Sequence, residues 1–244
     1  MTPVWALALA TAVAALTAAL GAVPLRIRRT LPLSWLGWSN ASAAGLMLGG
    51  AFVLAREGLG LNPLPAALGA GAGVAVLLWS HWFAGTSELD LNRIESVDAT
   101  YAPRVLLVQT LHGAFEGMAI GAAAVFDLKL GLFLALALAV HNVAEAMTLC
   151  AVLCGQGIQI SRAATLAVIS NLGQVLLAVV TYSLVVPAPE LRAPVLGFAT
   201  GALVYLVLVD LLPEAYEQSG ETSIAVVTSL TTSVVILLGG LLRL

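Results

Sequence analysis

Apolar stretches of about 20 residues recur eight times along the chain, separated by short charged or Pro- and Gly-rich segments. A helix rises about 1.5 Å per residue, so each stretch is long enough to cross a hydrocarbon layer about 30 Å thick. The sequence therefore predicts an all-α integral membrane protein, a bundle of eight transmembrane helices that forms one domain over residues 1–244. The predicted spans are Pro3–Val23, Ser34–Ala55, Leu64–Ala84, Val105–Phe126, Leu130–Leu153, Ala163–Val186, Ala193–Leu212 and Thr222–Leu242.

Composition excludes several other classes of protein. Of the 244 residues, 60% are hydrophobic and only 9% are charged, whereas a soluble domain carries about 25% charged residues. The net charge of −3 provides no basic surface for a nucleic acid, and the high hydrophobicity excludes intrinsic disorder. The two cysteines, Cys150 and Cys154, lie inside one apolar stretch, where packing is the favoured role for both.

The distribution of Lys and Arg between the loops predicts the orientation of the bundle. Cytoplasmic loops are enriched in these residues, and the first short loop usually dominates. We therefore expect a multi-pass protein of the cell membrane with both termini outside the cytoplasm, the Glu88–Arg104 loop inside it, and the first span retained rather than cleaved. Loops after odd-numbered spans contain Arg26, Arg28, Arg29, Arg93, Arg104 and Arg162, and the opposite side contains Arg56, Lys129, Arg192 and Arg243.

Two pairs of ionisable residues fall near the middle of the fourth and fifth spans. His112 and Glu116, and likewise His141 and Glu145, are four residues apart, which places each pair on one helix face. An ionisable group at mid-bilayer costs about 2.5–3.5 kcal/mol even on the lenient insertion scale. Because the same costly motif occurs twice at matching depth, we favour a divalent-cation site over two structural contacts.

Uncharged polar residues at similar depth are further candidate ligands. The thioether of Met47 in the second span could act as a soft ligand, although packing is the usual role of a lone Met. The amides of Asn142, Asn171 and Gln174 could bind the cation or bond to neighbouring helices, and the pattern leaves both roles open.

Two more ionisable residues lie closer to the ends of their spans. His81 stands beside two tryptophans at the end of the third span, which favours an interfacial position. Asp210 lies just before Pro213 in the seventh span, where either an exit path for an ion or a helix end would explain it.

The chain resembles the ZIP (Zrt/Irt-like) family of divalent-metal transporters. The fourth span reads His112-Gly113-Ala114-Phe115-Glu116-Gly117, and the fifth reads His141-Asn142-Val143-Ala144-Glu145-Ala146. These are similar to the family motifs HNxxEG and HNxPEG. The segments Ala44–Gly49 and Asp210–Ala215 resemble family segments in the same order.

This resemblance implies a transporter domain in which helices 1–3 and 6–8 are inverted repeats around helices 4 and 5. It implies a homodimer in the lipid bilayer that imports zinc, or iron, manganese or cadmium, into the cytoplasm by alternating access. The divalent metal is then the substrate, and no organic cofactor is expected. The family's primary metal site corresponds to Met47, His112 and Glu145, with Glu116 and His141 beside it.

The chain departs from the family pattern at residues that bear on the number of ions. Gly113 stands where Asn or Ser is usual, Gln174 where a Glu is common, and Ala144 and Ala146 replace Pro and Gly. The midplane then offers only the two carboxylates of Glu116 and Glu145, whose charge balances one divalent ion. We therefore expect one bound ion held by Met47, His112, His141 and one or both of Glu116 and Glu145, with Gln174 as a weak partner and Asn142 as a further candidate ligand.

Two other functions remain open from the sequence. An intramembrane zinc-dependent hydrolase would use His81, His112, His141 and Asp210 around an activated water. A metal-binding homologue without transport activity is the third alternative.

Overall fold

The computed structural model describes residues 2–28, 30–84 and 101–242, and all regular secondary structure within them is helical. Most of the Glu88–Arg104 loop, for which we predict a cytoplasmic position, lies outside the described residues. Eight helices are long and apolar enough to cross a membrane, in agreement with the eight predicted spans. They are α1 (Pro3–Ile27), α2 (Leu33–Leu61), α3 (Pro63–Phe83), α4 (Val105–Phe126), α5 (Leu128–Gly155), α6 (Ile160–Val185), α7 (Pro189–Gln218) and α8 (Glu221–Leu241).

Two of the predicted helix ends fall six residues short of the observed ones, whereas the other ends differ by four residues or fewer. The helix α2 continues through Arg56 and Glu57 to Leu61, because charged residues near a helix end reach the polar interface and need not break the helix. The helix α7 passes Pro213 and ends at Gln218. A proline inside a helix lacks an N–H and collides with the carbonyl four residues earlier, and the π-helical segment Val207–Leu211 immediately before it accommodates this defect.

The helix α6 is interrupted at Asn171. Its two parts, Ile160–Ser170 and Leu172–Val185, meet at this residue. The Nδ2 of Asn171 donates to the carbonyl of Ala167 at 2.9 Å, so the side chain competes with the helix for backbone partners. At the interruption, Asn171 lies against Gly113 of α4, the residue after His112.

The helices pack as two groups that meet at the centre of the bundle. One group contains α1, α4, α5 and α6, with α4 against α6 and α1 against α5. The other contains α2, α3, α7 and α8, with α3 against α7 and α2 against α8. Contacts of α2 with α5 and of α4 with α7 join the groups. The inverted-repeat relation stays a prediction.

Close contacts between helices depend on glycines. A Cβ on Gly117 of α4 would collide with the backbone of Gln174 in α6, and one on Gly201 of α7 would collide with the backbone of Ala70 in α3. Lipid supplies no hydrophobic drive between helices, so dispersion contacts at such crossings stabilise the bundle. The α4–α6 contact also fixes the helix that carries His112 and Glu116.

We predict that Gly117→Ala destabilises the protein, because the added methyl has no room at the α4–α6 crossing. Overpacking of this kind costs about 1–3 kcal/mol, and unfolding of the purified protein in mixed micelles measures it. Gly71→Ala is the matched control, since no atom lies within 4 Å of its added Cβ; its stability should be unchanged or slightly higher. Equal stability of the two variants would contradict the packing.

Candidate metal centre

The four midplane residues predicted from the sequence come together in the structure. His112 and Glu116 on α4 face His141 and Glu145 on α5, and all four are buried. One ligand atom from each side chain can be chosen so that all four atoms lie within 4.8 Å of one another. The i, i+4 spacing on two adjacent helices is therefore sufficient to form a single cluster, hereafter the quartet.

Each imidazole of the quartet contacts one carboxylate from α4 and one from α5. The Nε2 of His141 lies 2.6 Å from Oε1 of Glu116 and 3.7 Å from Oε2 of Glu145. The Nε2 of His112 lies 3.5 Å from Oε1 of Glu116 and 3.5 Å from Oε1 of Glu145. The two rings are stacked, with centroids 6.1 Å apart and planes 11° apart.

Hydrogen bonds of normal geometry do not account for these contacts. The Nε2 atoms of both histidines and both carboxylate oxygens of Glu116 are buried and have no hydrogen-bond partner among the described residues. The 2.6 Å contact is short, but its angles are not those of a hydrogen bond. Leaving such a group unsatisfied costs about 1–3 kcal/mol. Atoms that converge on one centre without bonding to each other are suited to sharing a cation.

The donor atoms fit a divalent transition metal. Two imidazole nitrogens and two carboxylate oxygens are ligands that Zn²⁺ accepts in a four-coordinate site. The two carboxylates, when ionised, also balance the charge of one divalent ion, which is needed because an unpaired charge in a low-dielectric interior is costly.

Asn142, the residue after His141, is hydrogen-bonded to Gln174 of α6. The Nδ2 of Asn142 donates to Oε1 of Gln174 at 2.9 Å and to the carbonyl of Ala14 at 3.0 Å. The carbonyl of Ala14 can only accept, so it fixes which atom of the Asn142 amide is the nitrogen. The oxygen of Gln174 is thereby occupied, whereas Oδ1 of Asn142 is buried without a partner.

Asn171 fills the space next to Gly113. A Cβ on Gly113 would lie 3.5 Å from Oδ1 of Asn171 and 3.5 Å from the carbonyl of Ser170. This Oδ1 is buried and has no hydrogen-bond partner in the described chain. The missing side chain of Gly113 is therefore partly replaced by an amide from α6.

Met47 is fully buried in a large apolar cluster formed mainly by α2, α4, α5 and α7. The same cluster contains Ala44, Ile120 and Leu138. Ligation by its thioether stays a prediction. Cys150 is buried in a second apolar cluster, in agreement with the packing role favoured above.

The side chain of His81 points into the bundle, and the interfacial depth predicted for this residue stays a prediction. Its Nε2 lies 3.3 Å from Oδ2 of Asp210, and the two side chains are only 9% and 4% exposed. The neighbouring Trp79 and Trp82 are the exposed residues. Residues 79 and 82 lie on one face of the helix, and residue 81 lies on another. The exposure of the two tryptophans therefore does not predict the direction of the histidine side chain.

Asp210 connects this pair with the quartet. Its Oδ2 lies 4.0 Å from Nδ1 of His112, on the opposite side of the imidazole from the Nε2 that faces the glutamates. The π-helical segment before Pro213 carries Asp210, and such segments are frequent at functional sites. Of the two roles left open by the sequence, the contacts favour the ion path over the helix end.

Two small cavities flank His112, each about 10 Å³ in volume, enough for about one water. One is lined by Ser80 and His81 together with apolar residues. The polar lining of the other consists of Asn40, Gln109, His112, Glu145, Thr148, Asp210 and Glu214. Hydrogen bonds extend this second lining from Thr148 to Asn40 and on to Gln218 and Glu214.

The sequence analysis missed this polar lining, although a signal for it was present. Gln109 is three residues before His112, Thr148 is three after Glu145, and Glu214 is four after Asp210. These spacings place each of them on the same helix face as a recognised residue, one turn away. Following each face for one further turn would have found them.

Comparisons with known proteins agree with this geometry. The family model described as ZIP Zinc transporter matches residues 99–244, which include both pairs of the quartet. The chain is also 30% identical over 223 residues to a protein of Arabidopsis thaliana named "Putative zinc transporter". That alignment covers 89% of this chain but only 36% of the relative, so the chain spans about a third of that protein's length. Since the family model matches more than half of the chain, the protein belongs to the ZIP zinc transporter family.

Proposed function

We propose that this membrane protein transports divalent metal ions and that the quartet of His112, Glu116, His141 and Glu145 is its ion-binding site. The convergence of four buried ligand atoms within 4.8 Å of one another carries the proposal. Hydrogen bonding does not account for this cluster, because the histidine Nε2 atoms and the Glu116 oxygens have no hydrogen-bond partner within the described residues. The matched family is one of transporters, which counts against the intramembrane hydrolase.

Zinc is the ion that the site fits first. Imidazole and carboxylate ligands together disfavour Mg²⁺ and Ca²⁺, which prefer oxygen ligands alone. Iron, manganese and cadmium remain within the range of the same donor set. The name of the Arabidopsis relative and the description of the family both refer to zinc, and we extend this substrate to the present chain.

The charge of the site supports one ion per chain. Glu116 and Glu145 supply a total of −2, Gly113 has no side chain, and the oxygen of Gln174 is engaged by Asn142. A second divalent ion would therefore carry about two uncompensated charges in a low-dielectric interior. In this proposal Oδ1 of Asn142 is the neutral ligand available beside the quartet, and Gln174 orients it.

Polar and apolar groups lie on opposite sides of the quartet, which supports alternating access. Buried polar residues continue from the quartet to the end of the bundle where α7 finishes, through Asp210 and Glu214. Towards the other end, the large apolar cluster around Met47 and Leu134 covers the site. We infer that the ion exchanges with the first side in this arrangement, and that relative sliding of the two helix groups opens the second.

The direction of transport depends on the orientation of the bundle. The loops after α1, α5 and α7 lie at the polar end of the bundle, and the exposed Arg26 and Arg28 lie there as well. The positive-inside rule places this side in the cytoplasm. We therefore propose import across the cell membrane, with both termini outside the cytoplasm and a homodimer as the assembly.

Transport itself is tested with purified protein in liposomes that contain a zinc-sensitive dye. We predict that wild-type protein carries zinc and that His112→Ala and Glu145→Ala each lower the flux at least tenfold, since loss of even an outer partner of a metal ligand costs 10- to 100-fold. Thr11→Ala is the matched control, because Thr11 is buried and its hydroxyl bonds only to its own helix.

Flux close to wild type in either quartet variant would refute the site. Zinc binding by the wild-type protein without flux would refute transport and favour the inactive homologue. The variants are compared at equal reconstituted amounts and with equal elution from a sizing column, so that failed folding is recognised.

The variant Asp210→Asn distinguishes a role on the ion path from a role in the ion-binding site. Because Asp210 contacts His81 and only the far side of His112, we predict that zinc flux falls several-fold while equilibrium zinc binding changes less than twofold. Glu190→Gln, which removes a carboxylate at the exposed start of α7, should leave both quantities unchanged. Unaltered flux in Asp210→Asn would show that this carboxylate is not on the path.

A further inference from the structure

A large groove lies on the membrane-facing surface where α1, α2 and α5 meet. Its volume is about 840 Å³, within the range of about 300–1,000 Å³ that ligand pockets occupy. Several large side chains that line it are exposed, among them Leu20, Trp35, Trp38, Leu136 and Val140. None of these residues belongs to the quartet or to the polar lining around His112.

The hydroxyl groups of this groove are already used. Thr17 donates to the carbonyl of Ala139 at 2.7 Å, Ser39 donates to that of Ala144 at 2.9 Å, and Ser42 donates to that of Trp38 at 2.8 Å. The first two bonds also attach α1 and α2 to α5. With these donors satisfied, the groove offers an apolar surface that suits hydrocarbon.

One end of the groove is basic. Arg26 and Arg28 lie at the end of α1, next to the lining residue Pro24. The guanidinium of Arg28 stands 5.7 Å from the ring centre of Trp35, which lines the groove. Both arginines are exposed, and neither has an acidic partner among the described residues. Guanidinium groups bind phosphate oxygens through paired hydrogen bonds.

The groove is about as long as the hydrocarbon part of one leaflet is thick. Its α5 wall runs from Leu136 to Met147, a rise of about 16 Å at about 1.5 Å per residue. This is about half of the 30 Å hydrocarbon thickness of a bilayer. The basic end lies beside the α1–α2 loop, and the α5 wall passes the level of His141 and Glu145 and continues to Leu136.

We propose that this groove binds one anionic phospholipid, with its acyl chains against α5 and its phosphate at Arg26 and Arg28. The apolar walls match the chains, and the arginines match the phosphate charge. The lipid contacts α1 and α5 of one helix group and α2 of the other. The proposal does not depend on the ion-binding role of the quartet.

Native mass spectrometry of the detergent-purified protein tests this site, with dioleoyl phosphatidylglycerol and dioleoyl phosphatidylcholine added at equal concentration. We expect one retained lipid per chain and at least a tenfold preference for phosphatidylglycerol. The double variant Arg26→Gln/Arg28→Gln should lose the preference, and Leu136→Trp, which fills the groove, should lose retention of both lipids. Equal elution from a sizing column shows that the variants are folded.

Two matched variants serve as controls. Arg162→Gln removes an exposed arginine on the same side of the bundle, and Leu230→Trp enlarges a similarly exposed leucine on α8; both should bind lipid as the wild type does. Equal retention of the two lipids by the wild type, or a preference that survives in the double variant, would overturn the proposal. A wild-type dimer that dissociates on Leu136→Trp without loss of lipid would assign the groove to a second copy of the chain instead.

Discussion

Burial of four ionisable side chains at the centre of an apolar bundle is the constraint on which the structure depends. Imidazole and carboxylate groups at that depth are stable only when they face one another or a cation. The pairs achieve this because α4 and α5 are adjacent and each presents its two residues one turn apart. The positions of these helices are fixed in turn by the glycine contacts of α4 with α6 and by the hydroxyl bonds of α5 with α1 and α2. Packing far from the site is thus what holds the ligand atoms together.

The number of helices and the quartet could be predicted from the sequence because both are encoded locally. Hydropathy over about 20 residues shows a span, and four-residue spacing places His112 with Glu116, and His141 with Glu145, on common faces. The pairing of His81 with Asp210 could not be predicted in this way, since it joins α3 to α7. The bond between Asn142 and Gln174 likewise joins α5 to α6. The sequence therefore leaves both cation binding and hydrogen bonding between helices open for these amides, and only tertiary contacts distinguish the two roles.

The continuation of α7 beyond Pro213 shows a different limit of sequence analysis. A proline usually marks a helix end, but a π-helical segment can absorb its missing hydrogen bond when neighbouring helices hold both sides. Here that segment carries Asp210 into the interior, where it meets His81 and His112. The local defect therefore carries one of the buried polar residues that, in the described part of the chain, continue from the quartet towards the end of the bundle where α7 finishes. The apolar cluster at the other end completes the asymmetry that a transporter requires in any single conformation.

We propose that the four residues of the quartet together hold one metal ion, and X-ray absorption spectroscopy of the zinc-loaded, dialysed protein measures this coordination. If the quartet binds one zinc ion, we expect two imidazole nitrogens and two carboxylate oxygens at about 2.0–2.2 Å from the zinc, without a second zinc nearby. Spectra of His141→Ala should retain one imidazole, whereas those of Thr11→Ala should match the wild type. A zinc coordination shell without imidazole, or a zinc–zinc distance of about 3.5–4 Å, would contradict the binding of one zinc ion by the quartet.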